Sequence, residues 1–250
     1  MPNLVPITLL PFSVTIVGAI FSAVLLNRYF FSGKRRPHEL TWGFAFLLFA
    51  VASACQVYAD VLGHWTDASA RIFYLTGGIL NVGFLGVGTV YLLFSRRLAN
   101  ASLAIMVVFS VISAFVVFNV PVDAAALQID PGYKAVVAVS STPRILAALS
   151  NAIGSILVIG GALWSGLVFW RKRIMKQRMI GVFLIAAGTL IVALGGTILG
   201  LTGLKNPEYH YVGMVVGVIV MFVGYLQSIR VTLPQAQVAE RVTATGSGAR

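Results

Sequence analysis

The chain has 250 residues, 58% of them hydrophobic and 10% charged, with a mean hydropathy of +0.92 and a net charge of +11. Soluble globular domains carry about 25% charged residues, so the composition excludes an ordinary soluble domain and reads as a polytopic membrane protein. In that setting the basic excess is the Lys/Arg bias of cytoplasmic loops, not a footprint for nucleic acid. The single cysteine, Cys55, excludes an intrachain disulfide and a Cys-based zinc cluster.

Apolar runs of about 20 residues are long enough to cross a hydrocarbon core of about 30 Å. Seven of them predict an all-α, seven-transmembrane-helix bundle, with spans at 4–30, 40–62, 70–94, 102–119, 144–170, 180–201 and 210–231. The alternating segments of a membrane β-barrel do not occur. Pro121, Pro131, Pro143 and Pro207 fall in connections, where a missing amide donor does no harm. The start, "MPNLVPITLL", has no basic n-region, so the first run reads as a retained span and not a cleaved signal. The organisation expected is a transmembrane domain over 1–231 and a flexible polar tail over 232–250, too short for an output domain.

Orientation follows from the basic residues. The connections "SGKRRPHE", "SRRLANA" and "RKRIMKQRM", with Arg28, Arg230, Arg241 and Arg250, hold 14 of the 18 lysines and arginines. Arg71, Lys134, Arg144 and Lys205 lie at the other face. The asymmetry predicts a cytoplasmic C-terminus and an outside N-terminus; the expected location is the plasma (inner) membrane. "RKRIMKQRM" is the densest run and would attract anionic lipid, or less simply a docking partner. The longest outer connection, 120–143, is mildly apolar and suits a short helix or hairpin at the interface.

Charge is otherwise avoided, so the stretch "CQVYADVLGHWTDASARIFY" at 55–74 stands out. Gln56 and Asp60 are four apart and share a helix face, which His64 continues. On the next span Arg71, Tyr74, Gly78 and Asn81 form a stripe, and Asn81 lies about 15 Å below Arg71. Arg144 opens span five, with Asn151 and Ser155 on its face; Glu208, His210 and Tyr211 open span seven. One reading is an outward-facing pocket, its charge set by Asp60, Arg71, Arg144 and Glu208 and its walls by Trp65, Tyr74 and Tyr211. The other is structural. Asp60 and Arg71 then close the hairpin as an ion pair, the aromatics belong to the interface belt, and Asn81 and Asn151 are interhelical glue. His64 and His210 lack a third ligand, so no metal is expected.

Small-xxx-small pairs, Gly196–Gly200 and Gly213–Gly217, predict close packing of spans six and seven. No H-E-x-x-H, P-loop, G-x-S-x-G or C-x-x-C pattern occurs, so no enzyme and no cofactor is expected. Span seven has no lysine, which excludes a retinal Schiff base there.

The segment "ELTWGFAFLLFAVASACQVYADVLGHWTDASARIFYLTGGILNVGFLGVGTVYLLF" resembles uncharacterised bacterial seven-transmembrane-helix proteins. It is also similar to the seven-helix N-terminal sensory region of bacterial histidine kinases. The shared features are an aromatic-rich hairpin, an Arg–Tyr opening of the third span and a Gly-rich remainder, over about a quarter of the chain. The resemblance implies a sensing module, although no kinase or dimerisation helix follows span seven, so output would come from a separate protein. The expected function is a non-enzymatic membrane sensor or binding module taking a small molecule, a lipid or a partner. A small transporter or channel and an accessory subunit of a larger complex are the alternatives.

Overall fold

The computed structural model describes residues 4–33, 35–128, 134–172, 180, 181, 183–192 and 208–230, with backbone alone at 4–8, 169–172, 208–211 and 228–230. Among the described residues the chain is all helical, with no strand. The main helices are α1 (Leu4–Phe31), α2 (Pro37–Leu62), α3 (Asp67–Leu93), α4 (Arg96–Asn119), α5 (Thr142–Lys172), α6 (Phe183–Val192) and α7 (Glu208–Arg230). Helices α1 to α5 are long and apolar enough to cross a membrane, as a membrane protein requires. Among the described residues, Phe183–Val192 of α6 and Val212–Gln227 of α7 are further apolar helical stretches. Most of the second half of the predicted sixth span, and the tail at 232–250, lie outside the described residues.

Several helices begin earlier than the apolar runs. Helix α2 starts at Pro37, where a fixed φ and a missing N–H suit the first helical position. Helix α4 starts at Arg96, six residues before the predicted span, because a helix need not stop where hydrocarbon ends. The turn between α2 and α3 is built from local signals. Gly63 takes φ 75° at the end of α2. Thr66 and Ser69 then form a reciprocal capping box at the start of α3.

Burial separates the helices by role. In the apolar window of α3 67% of residues are buried, against 17% in α4, so α3 is the hub and α4 lies at the periphery. Helix α3 packs on α2, α4 and α5, while α1 packs on α2 and α7. The indole of Trp42 ties α2 to α3 by donating from Nε1 to the Leu85 carbonyl at 3.0 Å, and the indole lies where a side chain at Gly88 would stand. Phe21 links α1 to α2 and α7, with ring centroids 4.0 Å from Phe46 and 4.8 Å from Phe222. Between Ala101 and Phe118 the exposed side chains of α4 are apolar, with Ile105 and Phe115 each 70% exposed. That surface suits hydrocarbon, not water.

The glycine expectation is met in part. A Cβ on Gly217 would lie 2.8 Å from the Gly188 carbonyl oxygen, and one on Gly188 would lie 2.5 Å from that of Gly217. The sixth and seventh helices therefore touch backbone to backbone, as small residues allow. Gly196 and Gly200 lie outside the described residues. In the connection at 120–143, a tight turn at Ala126–Gln128 and a short helix at Ala135–Ala138 bracket the undescribed residues 129–133.

Candidate functional site

Three polar levels are stacked along the bundle. The first is the α2–α3 turn. Trp65 is 4% exposed, packs edge-on against Phe73 at 5.2 Å, and donates its backbone N–H to the Leu127 carbonyl at 3.1 Å. It anchors the long connection onto the hairpin. Arg71 donates Nε to both carboxylate oxygens of Asp67 at 2.9 Å, and its Nη1 donates to the Val117 carbonyl. A cation at the C-terminal end of α4 meets the negative end of the helix dipole and one of its orphan carbonyls. The sequence reading paired Arg71 with Asp60; the Nε bonds of Arg71 go to Asp67, one turn earlier on its own helix. Asp60 accepts from Gln56 Nε2 at 2.7 Å, through Oδ1. His64 is exposed, with Nδ1 3.2 Å from the Leu62 carbonyl oxygen. Arg144 is exposed on the first turn of α5. The side chains of Glu208, His210 and Tyr211 lie outside the described residues.

The second level is inside the bundle, and its geometry is not visible in the apolar pattern. Residues Tyr74–Leu80, "YLTGGIL", form a π-helical turn within α3. The Asn81 N–H donates to the Thr76 carbonyl, five residues back. Such turns carry one extra residue in the ladder and are frequent at functional sites. Thr76 loosens the ladder by back-bonding the Ile72 carbonyl at 2.7 Å. At Gly77, α2 approaches so closely that an added Cβ would lie 2.7 Å from Ala52 Cβ. Close to where the ladder returns to α register, the Gly78 carbonyl accepts from Asn151 Nδ2 at 2.9 Å. Tyr74, 9% exposed, lies over Gly78. The structure therefore brings together Tyr74, Asn81 and Asn151 of the residues singled out from the sequence.

Three amide oxygens near this level are buried without a hydrogen-bond partner: Gln56 Oε1, Asn81 Oδ1 and Asn151 Oδ1. A buried acceptor left open costs about 1–3 kcal/mol. A cavity of about 60 Å³ lies beside Asn81, which lines it with Ser155, Thr189, Phe46, Val218 and Met221. The lining comes from α2, α3, α5, α6 and α7. The arrangement offers fixed acceptors to a hydrogen-bond donor in an otherwise apolar interior.

The third level is at the opposite, basic end, and the sequence reading did not single it out. Glu39 is 1% exposed, and its Oε1 lies 3.2 Å from Arg28 Nε and 4.0 Å from Arg36 Nη1. Tyr225, 3% exposed on α7, has its hydroxyl in the field of Arg28, Arg36 and Glu39. The signal available was one carboxylate inside "SGKRRPHEL", a run read only for its positive charge. Among the described residues no group of three His, Cys, Asp or Glu side chains could hold a metal ion. No family model, no curated protein and no solved structure matches the chain.

Proposed function

We propose that the chain is a seven-helix integral protein of the plasma (inner) membrane, with its N-terminus outside and its C-terminus in the cytoplasm. In this reading it works as a non-enzymatic binding or sensing module, whose small-molecule site is reached from the outer half. The observation that carries the proposal is the set of open acceptors beside the π-helical turn, Gln56 Oε1, Asn81 Oδ1 and Asn151 Oδ1. Polar groups in a span are costly and face the bundle interior, where they tend to mark function. A small uncharged molecule bearing hydrogen-bond donors would satisfy them. The same molecule would bias the extra residue of the π turn, and a shift there turns the remainder of α3 about its axis. That remainder leads directly into the basic connection at Arg96 and Arg97, through which a separate protein would receive the change.

Native mass spectrometry of the full chain extracted in mild detergent tests the site. A small-molecule adduct is expected on the wild type and should be lost in Asn81→Leu and Asn151→Leu, with melting temperature maintained. An adduct that persists in both variants would remove the site. For orientation, a reporter active only in the cytoplasm should work when fused after Arg250 and stay silent in the 120–143 connection. The opposite pattern would invert the assignment.

A channel or transporter is the second reading, favoured by the shared interior cavity of Asn81, Ser155 and Thr189. It requires proteoliposomes to take up a small neutral solute such as glycerol faster with the wild type than with Thr189→Leu.

A further inference from the structure

A larger recess lies apart from that polar interior, on the flank of the bundle where α4 covers α3 and α5. Its volume is about 310 Å³, and apart from Ser102 and Ser150 it is lined by glycines and apolar side chains, among them Gly83, Ile105, Met106, Phe109 and Ile153. The recess exists because three helices are held apart at one place and together elsewhere. Helices α3 and α5 meet backbone to backbone at Gly86 and Gly154, where an added Cβ on Gly86 would lie 3.0 Å from the Gly154 Cα. Helix α4 bridges the two more loosely, touching α3 through Met106 at Gly83. Along α5 the lining runs from Leu149 to Leu157, about 12 Å of helix. Its rim is formed by Ile105, Leu149 and Ile153, exposed by 70%, 50% and 51%. On helices that cross a bilayer, those rim residues meet acyl chains, so the recess opens onto lipid.

One atom in the lining does not suit a plain hydrocarbon occupant. Ser150 is 6% exposed, and its Oγ has no hydrogen-bond partner. Its behaviour differs from that of several nearby hydroxyls, although Ser113 Oγ on α4 is likewise buried without a partner. Ser102, Ser110 and Thr189 each donate to the carbonyl four residues back, at 3.0, 2.7 and 2.9 Å. Ser150 does not, and its Oγ would lie 2.7 Å from a Cβ on Gly83, so it points across the floor of the recess. An open hydroxyl in hydrocarbon costs about 1–3 kcal/mol. It sits about 12 Å along α5 from the helix start at Thr142, well below the headgroup level. A phospholipid ester would be too shallow to reach it.

We infer that this recess binds a bilayer-borne lipid that carries a keto or hydroxyl oxygen part-way along its chain, with Ser150 hydrogen-bonded to that oxygen. The apolar lining takes the chain, and the hydroxyl selects for the oxygen. A serine can donate to a carbonyl and either donate to or accept from a hydroxyl, so both groups fit.

The test uses the full chain in phosphatidylcholine vesicles with a photoreactive stearic acid probe. Mid-chain keto-stearic acid and unsubstituted stearic acid are the competitors, at equal mole fraction. Labelling is expected to concentrate in peptides holding Ser102–Phe109 and Leu149–Leu157. The keto acid should compete about five-fold better than stearic acid, the size of one net hydrogen bond. In Ser150→Ala the two competitors should become equal while labelling by the probe is retained. That variant removes an open buried hydroxyl, so its melting temperature should not fall. The double variant Ile105→Trp/Ile153→Trp should fill the opening and lower labelling outright. Labelling spread evenly over α1 to α5 would overturn the proposal. So would equal competition in the wild type, or a keto preference that survives in Ser150→Ala. The wild-type competition needs no variant and decides the matter even if a substitution impairs folding.

Discussion

Each end of the bundle holds an arginine–carboxylate pair of similar length, and the two pairs are built in opposite ways. At the basic end the carboxylate is buried and the cation is not: Glu39 is 1% exposed and Arg28 33%. At the α2–α3 turn the cation is the more buried: Arg71 is 11% exposed and Asp67 58%. What matters for stability is which member is left inside when its partner goes. Glu39 leans mainly on Arg28, with the Tyr225 hydroxyl beside it and Arg36 at 4.0 Å and 43% exposed. Arg71 has a second acceptor in the Val117 carbonyl, so it does not depend on Asp67 alone. One pair therefore supports a buried charge, whereas the other mainly orients a side chain that is already held.

The largest effect should follow from deleting Arg28. Arg28→Ala leaves a buried carboxylate with one distant cation and the Tyr225 hydroxyl, and breaking such a pair costs about 3–5 kcal/mol when both members are buried. Arg28 is one-third exposed and Arg36 remains, so a loss near about 2–3 kcal/mol is expected, read as a lowered melting temperature in detergent. Adding Glu39→Gln to the same chain should recover most of it, because the amide has no charge to strand. If the double variant melts no higher than Arg28→Ala, the buried carboxylate is not the cause.

The turn end should respond more weakly and in a fixed order. Asp67→Ala removes an exposed partner and should cost less than about 1 kcal/mol. Arg71→Ala should cost more, about 1–2 kcal/mol, because it takes the donor from the Val117 carbonyl and unties α3 from α4. Equal losses in the two variants would mean that Arg71 acts only through Asp67. A larger loss in Asp67→Ala would reverse the comparison between the two ends.

The same contrast explains what could be read from the sequence. Helices α1 to α5 were legible because length and apolarity set them, and neither depends on neighbours. The partner of Arg71 was legible too. Asp67 and Arg71 are four apart, a spacing that pairs on any helix, and that local rule stands beside the Asp60 that depth along the hairpin suggested. The π turn was not legible. "LTGG" permits it, but the close approach of Ala52 and the Asn151 amide arriving from α5 depend on how three helices are rotated against one another. Glu39 was hidden by its surroundings: in a basic connection its charge reads as a minor correction, and only packing shows it to be enclosed. Local rules give partners within a helix, and tertiary rotation decides the rest.

The smallest effect belongs to His64, and its smallness is informative. His64 sits in the same turn as Trp65, Asp67 and Arg71, and the sequence alone gives it as much claim to a role as they have. Its ring is exposed, and it lies 3.2 Å from the Leu62 carbonyl, two residues back, at the C-terminal end of α2. That carbonyl is among the last of its helix and can turn to water when the ring is removed. The turn itself is held by other means: Gly63 in the left-handed region, the Thr66–Ser69 capping box and the Trp65 backbone bond to the connection. His64→Ala should therefore leave the melting temperature unchanged within error and leave any co-purifying adduct in place. A loss of the adduct at constant melting temperature would show that the exposed face of this turn binds something. The distinction between a structural turn end and a functional interior would then have to be redrawn with His64 on the functional side.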